Sequence, residues 1–132
     1  MAILETRRDG SVDVDVFDEL SAVRADWAAL ESSGACTPFQ TMAWLEPWYA
    51  HVAPHFAASP LFVRVRDHAT GAPIMLLPLV KRRHAGLIVV EFADLGASDY
   101  QAPLFAPDAD ALRGDRRAIW TQVQAALRPA DL

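Results

Sequence analysis

Five groups of side chains in this sequence have types and spacings that could do chemistry. Asp13, Asp15 and Asp18 bring three carboxylates close together, as a calcium loop does. The glycine that turns such a loop and the glutamate that closes it are both missing, so the spacing predicts a solvated strand face instead. His51 and His55 have the i, i+4 spacing of a zinc pair, yet Pro54 lies between them and no third ligand is near; an exposed helix end is the better reading. Lys81, Arg82, Arg83 and His84 could hold an anion, although a charged hairpin tip has the same composition. Ser98 and Asp99 with His84 contain the types of a nucleophilic set, but Ser98 has no G-x-S-x-G elbow around it. The aromatics Trp27, Phe39, Trp44, Trp48 and Tyr49 could line a ligand cage; at helical spacing they fit a core that covers a sheet. These residues assign no catalytic group and no metal site.

The elements that must position them centre on Leu61–Phe92. Three apolar runs there are separated by Asp67–Ala72, containing Gly71, and by Arg83–Gly86, which predicts a three-stranded antiparallel meander. Leu61, Val63 and Val65 alternate with Phe62, Arg64 and Arg66, a half-wet strand. Ile74–Val80 is apolar on both faces and so is expected to be covered on both, pairing with Leu87–Phe92. Pro78 within it cannot donate to a ladder and predicts an edge or a bulge. Upstream, Val12, Val14 and Val16 alternate with aspartates as a strand, and Asp9-Gly10 can turn a hairpin onto Ile3–Thr6.

A change of period marks helix one over Asp18–Leu30, with Leu20, Val23, Trp27 and Leu30 inward and a left-handed Gly34 at its end. Thr41 is placed to cap helix two, where Trp44 and Trp48, and Leu45 and Tyr49, form two inward stripes and Pro47 introduces a kink. A long connection bearing Ser98, Asp99, Tyr100 and Gln101 follows Phe92. Asp115 can then cap a last helix with Ile119, Trp120, Val123 and Leu127 on one side, stopped by Pro129.

At 132 residues, with 52% hydrophobic and 22% charged side chains, the sequence has the composition of one globular domain. Its net charge of -5 argues against nucleic acid or an anionic membrane as partner. Cys36 is the only cysteine, and the opening lacks a signal-peptide pattern, so a cytoplasmic location is expected. The longest apolar run, Ile74–Val80, falls far short of the roughly 20 residues that span a bilayer.

The string WAALESSGACTPFQTMAWLEPWYAHV, followed by LLPLVKRR, LIVVEF and SDYQAPL, resembles the start of the CelD-like GNAT acetyltransferase family, named for cellulose biosynthesis and related to the FemAB-type double-GNAT proteins. The resemblance spans about Val12 to Leu127. Its most specific part is Trp27 with Thr37-Pro38-Phe39-Gln40-Thr41 and Trp44-Leu45, supported by Leu77-Pro78-Leu79 and Ser98-Asp99-Tyr100. It implies an α/β, GNAT-like fold with a mixed, mostly antiparallel sheet in the order strand, two helices, three-stranded meander and helix.

In active GNAT proteins the acyl-CoA pyrophosphate rests on an R/Q-x-x-G-x-G/A loop at a helix start. This chain departs from that pattern: Gly96 and Gly114 are the only glycines between Phe92 and Ile119, and Asp115 sets a carboxylate beside Gly114. The resemblance therefore implies an N-terminal half over residues 1–132, cut before its next strand, with no cofactor of its own. Acetyl-CoA or another acyl-CoA, and the catalysis, belong to an acetyltransferase-like C-terminal half as partner. Asp99, Tyr100 and Gln101 are expected to line the acceptor pocket. A stand-alone binding domain of the same topology is the alternative. The apolar strand Leu87–Phe92, guarded by Glu91 alone, is also expected to offer an edge for a homodimer.

Overall fold

The computed structural model describes residues 3–9, 12–34, 36–97, 102–107 and 116–128. Strands β1 (Ile3–Asp9) and β2 (Val12–Phe17) form the first hairpin, longer than the Ile3–Thr6 pairing that Asp9-Gly10 predicts. Helices α1 (Arg24–Ser33) and α2 (Met42–His51) follow, then β3 (Ser59–Asp67), β4 (Pro73–His84), β5 (Leu87–Phe92), the short β6 (Leu104–Phe105) and helix α3 (Arg116–Ala126). The sheet runs in the order β1-β2-β3-β4-β5, with β6 paired to β4 beside β5. Every pairing among the described residues is antiparallel, so the expected meander is present and the mixed character of the sheet is not.

Strand alternation divides the core in two. Phe17, Phe62, Leu76 and Val80 face α1 and α2, where they meet Trp27, Leu30, Leu45, Trp48 and Tyr49. Val12, Val14, Val16, Leu61, Val63, Val65, Leu77 and Leu79 face the other way, toward Val123 and Ala126 of α3. Strand β4 is apolar on both faces because helices cover both.

Several local expectations change. Strand β4 continues through Lys81–His84, and β5 pairs with Leu79–His84 rather than with Ile74–Val80. The basic run is therefore strand, and the turn is Ala85-Gly86, whose φ of 52° and 81° are both left-handed as a tight two-residue hairpin requires. Helix one begins as a 3-10 turn at Leu20–Ala22 and becomes α-helical at Arg24. Gly34 ends it in an extended conformation, φ -105°, not a left-handed one. Its glycine is required by space: a Cβ there would stand 2.3 Å from the Phe105 carbonyl oxygen. On α2, Leu45, Trp48 and Tyr49 point inward as expected, but Trp44 is 37% exposed and packs edge-on against Phe39. Pro47 lies within α2 on its exposed side, and the helix continues through it to His51.

Candidate functional site at a fork in the sheet

On the side of β4 away from β3, two strands take turns. Strand β6 pairs with Met75 and Leu76, and β5 pairs with Leu79 onward. Pro78 sits between them. Its carbonyl accepts from Ala93 N–H at 3.1 Å, and Ile74 carbonyl accepts from Ala106 N–H at 2.8 Å, so even-numbered β4 residues turn their backbone groups toward this fork. In an antiparallel strand N–H and C=O of one residue point the same way, so the donor that Pro78 lacks would have fallen in the gap. The β3–β4 register passes through Phe62↔Pro78 without a shift, so of the edge or bulge expected at Pro78 the bulge is not there, and the irregularity of this pair lies at Val65/Arg66.

The fork is capped by the turn Pro38–Gln40, and Gln40 there is 5% exposed. Its carbonyl accepts from Trp27 Nε1 at 3.0 Å, and its Oε1 accepts from Thr37 N–H at 2.7 Å. Its Nε2 donates to the carbonyls of Ala102 at 3.1 Å and Pro103 at 2.8 Å. At the other end of the same connection, Trp48 Nε1 donates to Asp94 carbonyl at 3.2 Å, while Asp94 Oδ2 accepts from Gly96 N–H at 3.0 Å. Trp48 and Gln40 thus hold both ends of the connection from β5 to β6. Beneath it, Gln40, Leu45, Pro78 and Ala93 help line a cavity of about 10 Å³, room for one water.

Asp99, Tyr100 and Gln101, together with Ser98, lie outside the described residues, as do Gly114 and Asp115. His84 is exposed at the end of β4, and His51 and His55 are exposed around the end of α2. Among the described residues no His, Cys, Asp and Glu group is arranged to hold a metal ion. Burial, with Glu31 nearby, pushes the Cys36 thiol up, so it stays protonated at neutral pH and is a poor nucleophile. Burial likewise holds the Tyr49 phenol well above its ordinary range, where it donates to Leu79 carbonyl at 2.8 Å.

The aspartates of β2 are not solvated. Asp15 is 1% exposed and accepts from Arg64 Nη2 at 2.8 Å and Arg66 Nε at 2.7 Å. Arg64 reaches on to Asp26 of α1 at 2.8 Å and lies 4.8 Å above the Phe17 ring, and Asp13 meets His68 at 3.1 Å. Burial works against the charge on Arg64, but its bonds to Asp26 and Asp15 raise its pKa on balance. This network joins β2, β3 and α1. Its signal in the sequence is the match of Asp13 and Asp15 on one strand to Arg64 and Arg66 on another.

A third feature lies on the opposite face. Helix α3 packs on β1 and β2, leaving an apolar groove of about 300 Å³ between Leu77, Leu79, Val90, Phe92, Trp120 and Leu127. Among the described residues no helix is long and apolar enough to cross a membrane. Comparison with family models, with characterised proteins and with solved structures finds no match.

Proposed function

We propose that this domain is the GNAT-like, CelD-like half of an N-acyltransferase that presents acceptor-side surface to an acetyltransferase-like partner half and does not itself hold the acyl-CoA. The observation that carries the reading is the double clamp on the β5–β6 connection. Gln40 belongs to the Thr37–Thr41 segment that carries the family resemblance, and with Trp48 it fixes the ends of the stretch that bears Asp99, Tyr100 and Gln101. Anchored ends suit a pocket wall, because positioning groups need support from the elements on either side of them. The order of elements, with α1 and α2 on one face and α3 on the other, agrees with a GNAT-like arrangement.

The test begins with the coding sequence downstream. Expressed in frame, the longer product is expected to carry an R/Q-x-x-G-x-G/A loop and to release CoA thiol from acetyl-CoA when amines are supplied. The 132-residue chain alone is expected to bind acetyl-CoA more weakly than about 100 μM, roughly -5.5 kcal/mol, by calorimetry. Tighter binding by the short chain would overturn the assignment of the cofactor to the other half. A stop codon with no such loop would favour the second reading, a non-catalytic interaction domain, for which the outer edge of β5, unpaired among the described residues, is the supporting observation.

A further inference from the structure

Among the described residues no strand pairs with the outer edge of β5. Because Ala93 N–H donates to Pro78 carbonyl, ladder alternation turns Glu91, Val89 and Leu87 toward β4 and leaves the backbone groups of Ile88, Val90 and Phe92 pointing outward. The same three residues place their side chains on the α3 face, where Val90 and Phe92 line the apolar groove and Ile88 is 46% exposed. Trp120, 49% exposed, stands over that groove. The one acidic residue of the strand, Glu91, borders the groove and pairs with Arg82 at 3.4 Å.

We infer that β5 is a homodimer interface: two copies join edge to edge, antiparallel, about a two-fold axis at Val90. A two-fold normal to the sheet pairs residues of equal parity, so Val90 meets its own copy and Ile88 meets Phe92. This register uses every outward N–H and C=O of the strand. A shift that centred the axis on Glu91 would set like charges opposite each other, which disfavours it. In the favoured register both grooves fall on the same face and adjoin, and each Trp120 flanks the seam. No lysine, proline or bulge protects this edge. The pairing covers one strand edge and the half-exposed Ile88 and Trp120 side chains of each copy, a patch smaller than the roughly 1,200–2,000 Å² of a stable interface. The dimer is therefore concentration-dependent, and the inference stands independently of the acyltransferase reading.

Light scattering coupled to gel filtration, run on the 132-residue chain from about 1 to about 100 μM, spans the affinity expected of so small an interface. A dimer that dissociates on dilution is expected. Ile88→Lys, at an exposed site, should raise the dissociation constant at least about tenfold, and Val90→Pro, which removes only an outward N–H, should do the same. As a test that does not rely on those variants folding well, Val90→Cys in a Cys36→Ala background should form an intermolecular disulfide on mild oxidation, since facing residues there lie about 5.5 Å apart. A monomer throughout the range, or a dimer that neither substitution weakens and that Val90→Cys does not cross-link, would overturn the inference.

Discussion

Gln40 Nε2 donates to the Pro103 carbonyl at 2.8 Å, joining positions 63 residues apart in sequence. Gln40→Leu keeps the volume and leaves the Ala102 and Pro103 carbonyls without their donor, so it should cost about 1–3 kcal/mol in urea unfolding. Faster amide exchange confined to the β5–β6 connection and β6 should accompany the loss. Exchange unchanged there would show that Gln40 does not hold the connection.

Trp27 is fully buried, edge-on to Phe62 with ring centres 6.1 Å apart. Trp27→Ala should therefore destabilise the domain by about 3–5 kcal/mol. Replacement by Phe retains much of the apolar volume but gives up the bond to Gln40 carbonyl; it should lose less, with part of the deficit, about 1 kcal/mol, owed to that bond. A denaturant midpoint shared by the Ala variant and the parent would refute this packing.

Asp15→Ala removes the buried carboxylate that Arg64 and Arg66 share, leaving Arg64 with Asp26 and Arg66 with the more distant Asp13, and should cost about 3 kcal/mol. Replacing Asp15, Arg64 and Arg66 together by apolar residues should cost less than the sum of the three single changes, because the two guanidinium groups leave together with the carboxylate they share. Additive losses in the denaturant midpoint would rule out a coupled network.

Gly34→Ala meets the Phe105 carbonyl oxygen at 2.3 Å, in a backbone conformation that alanine otherwise tolerates. Either β6 or the end of α1 must move, at a cost of about 1–3 kcal/mol. A melting temperature equal to the parent's would mean that β6 shifts freely.

Much of the architecture was legible because period and polarity agree: Val12–Val16, Leu61–Val65 and the Trp27 stripe lie on the faces their spacing predicts. What was not legible depends on partners distant in sequence. Asp13 and Asp15 read as wet because alternation reports polarity, whereas only the neighbouring strand shows that Arg64 and Arg66 neutralise them. Gly34 has the composition of a helix stop, and its close approach to Phe105 is visible only once β6 is in place. Gln40 carried a family resemblance, but its amide bonds span a sequence distance that no local pattern encodes. Asp99, Tyr100 and Gln101 lie outside the described residues.

Pro78 also acts as an end stop against strand slippage. In the present register Val80 lies opposite Glu91, and alternation from the Ala93–Pro78 bond makes that pair hydrogen-bonded. A two-residue slide of β5 toward the start of β4 keeps every side chain on its own face, so hydrophobicity alone does not forbid it. That slide would move the missing Pro78 donor from opposite Ala93, just past the end of β5, to opposite Glu91 within it, and would force the tight Ala85-Gly86 turn to open. One imino acid in the middle of an apolar strand thus fixes the alignment that strand polarity leaves degenerate.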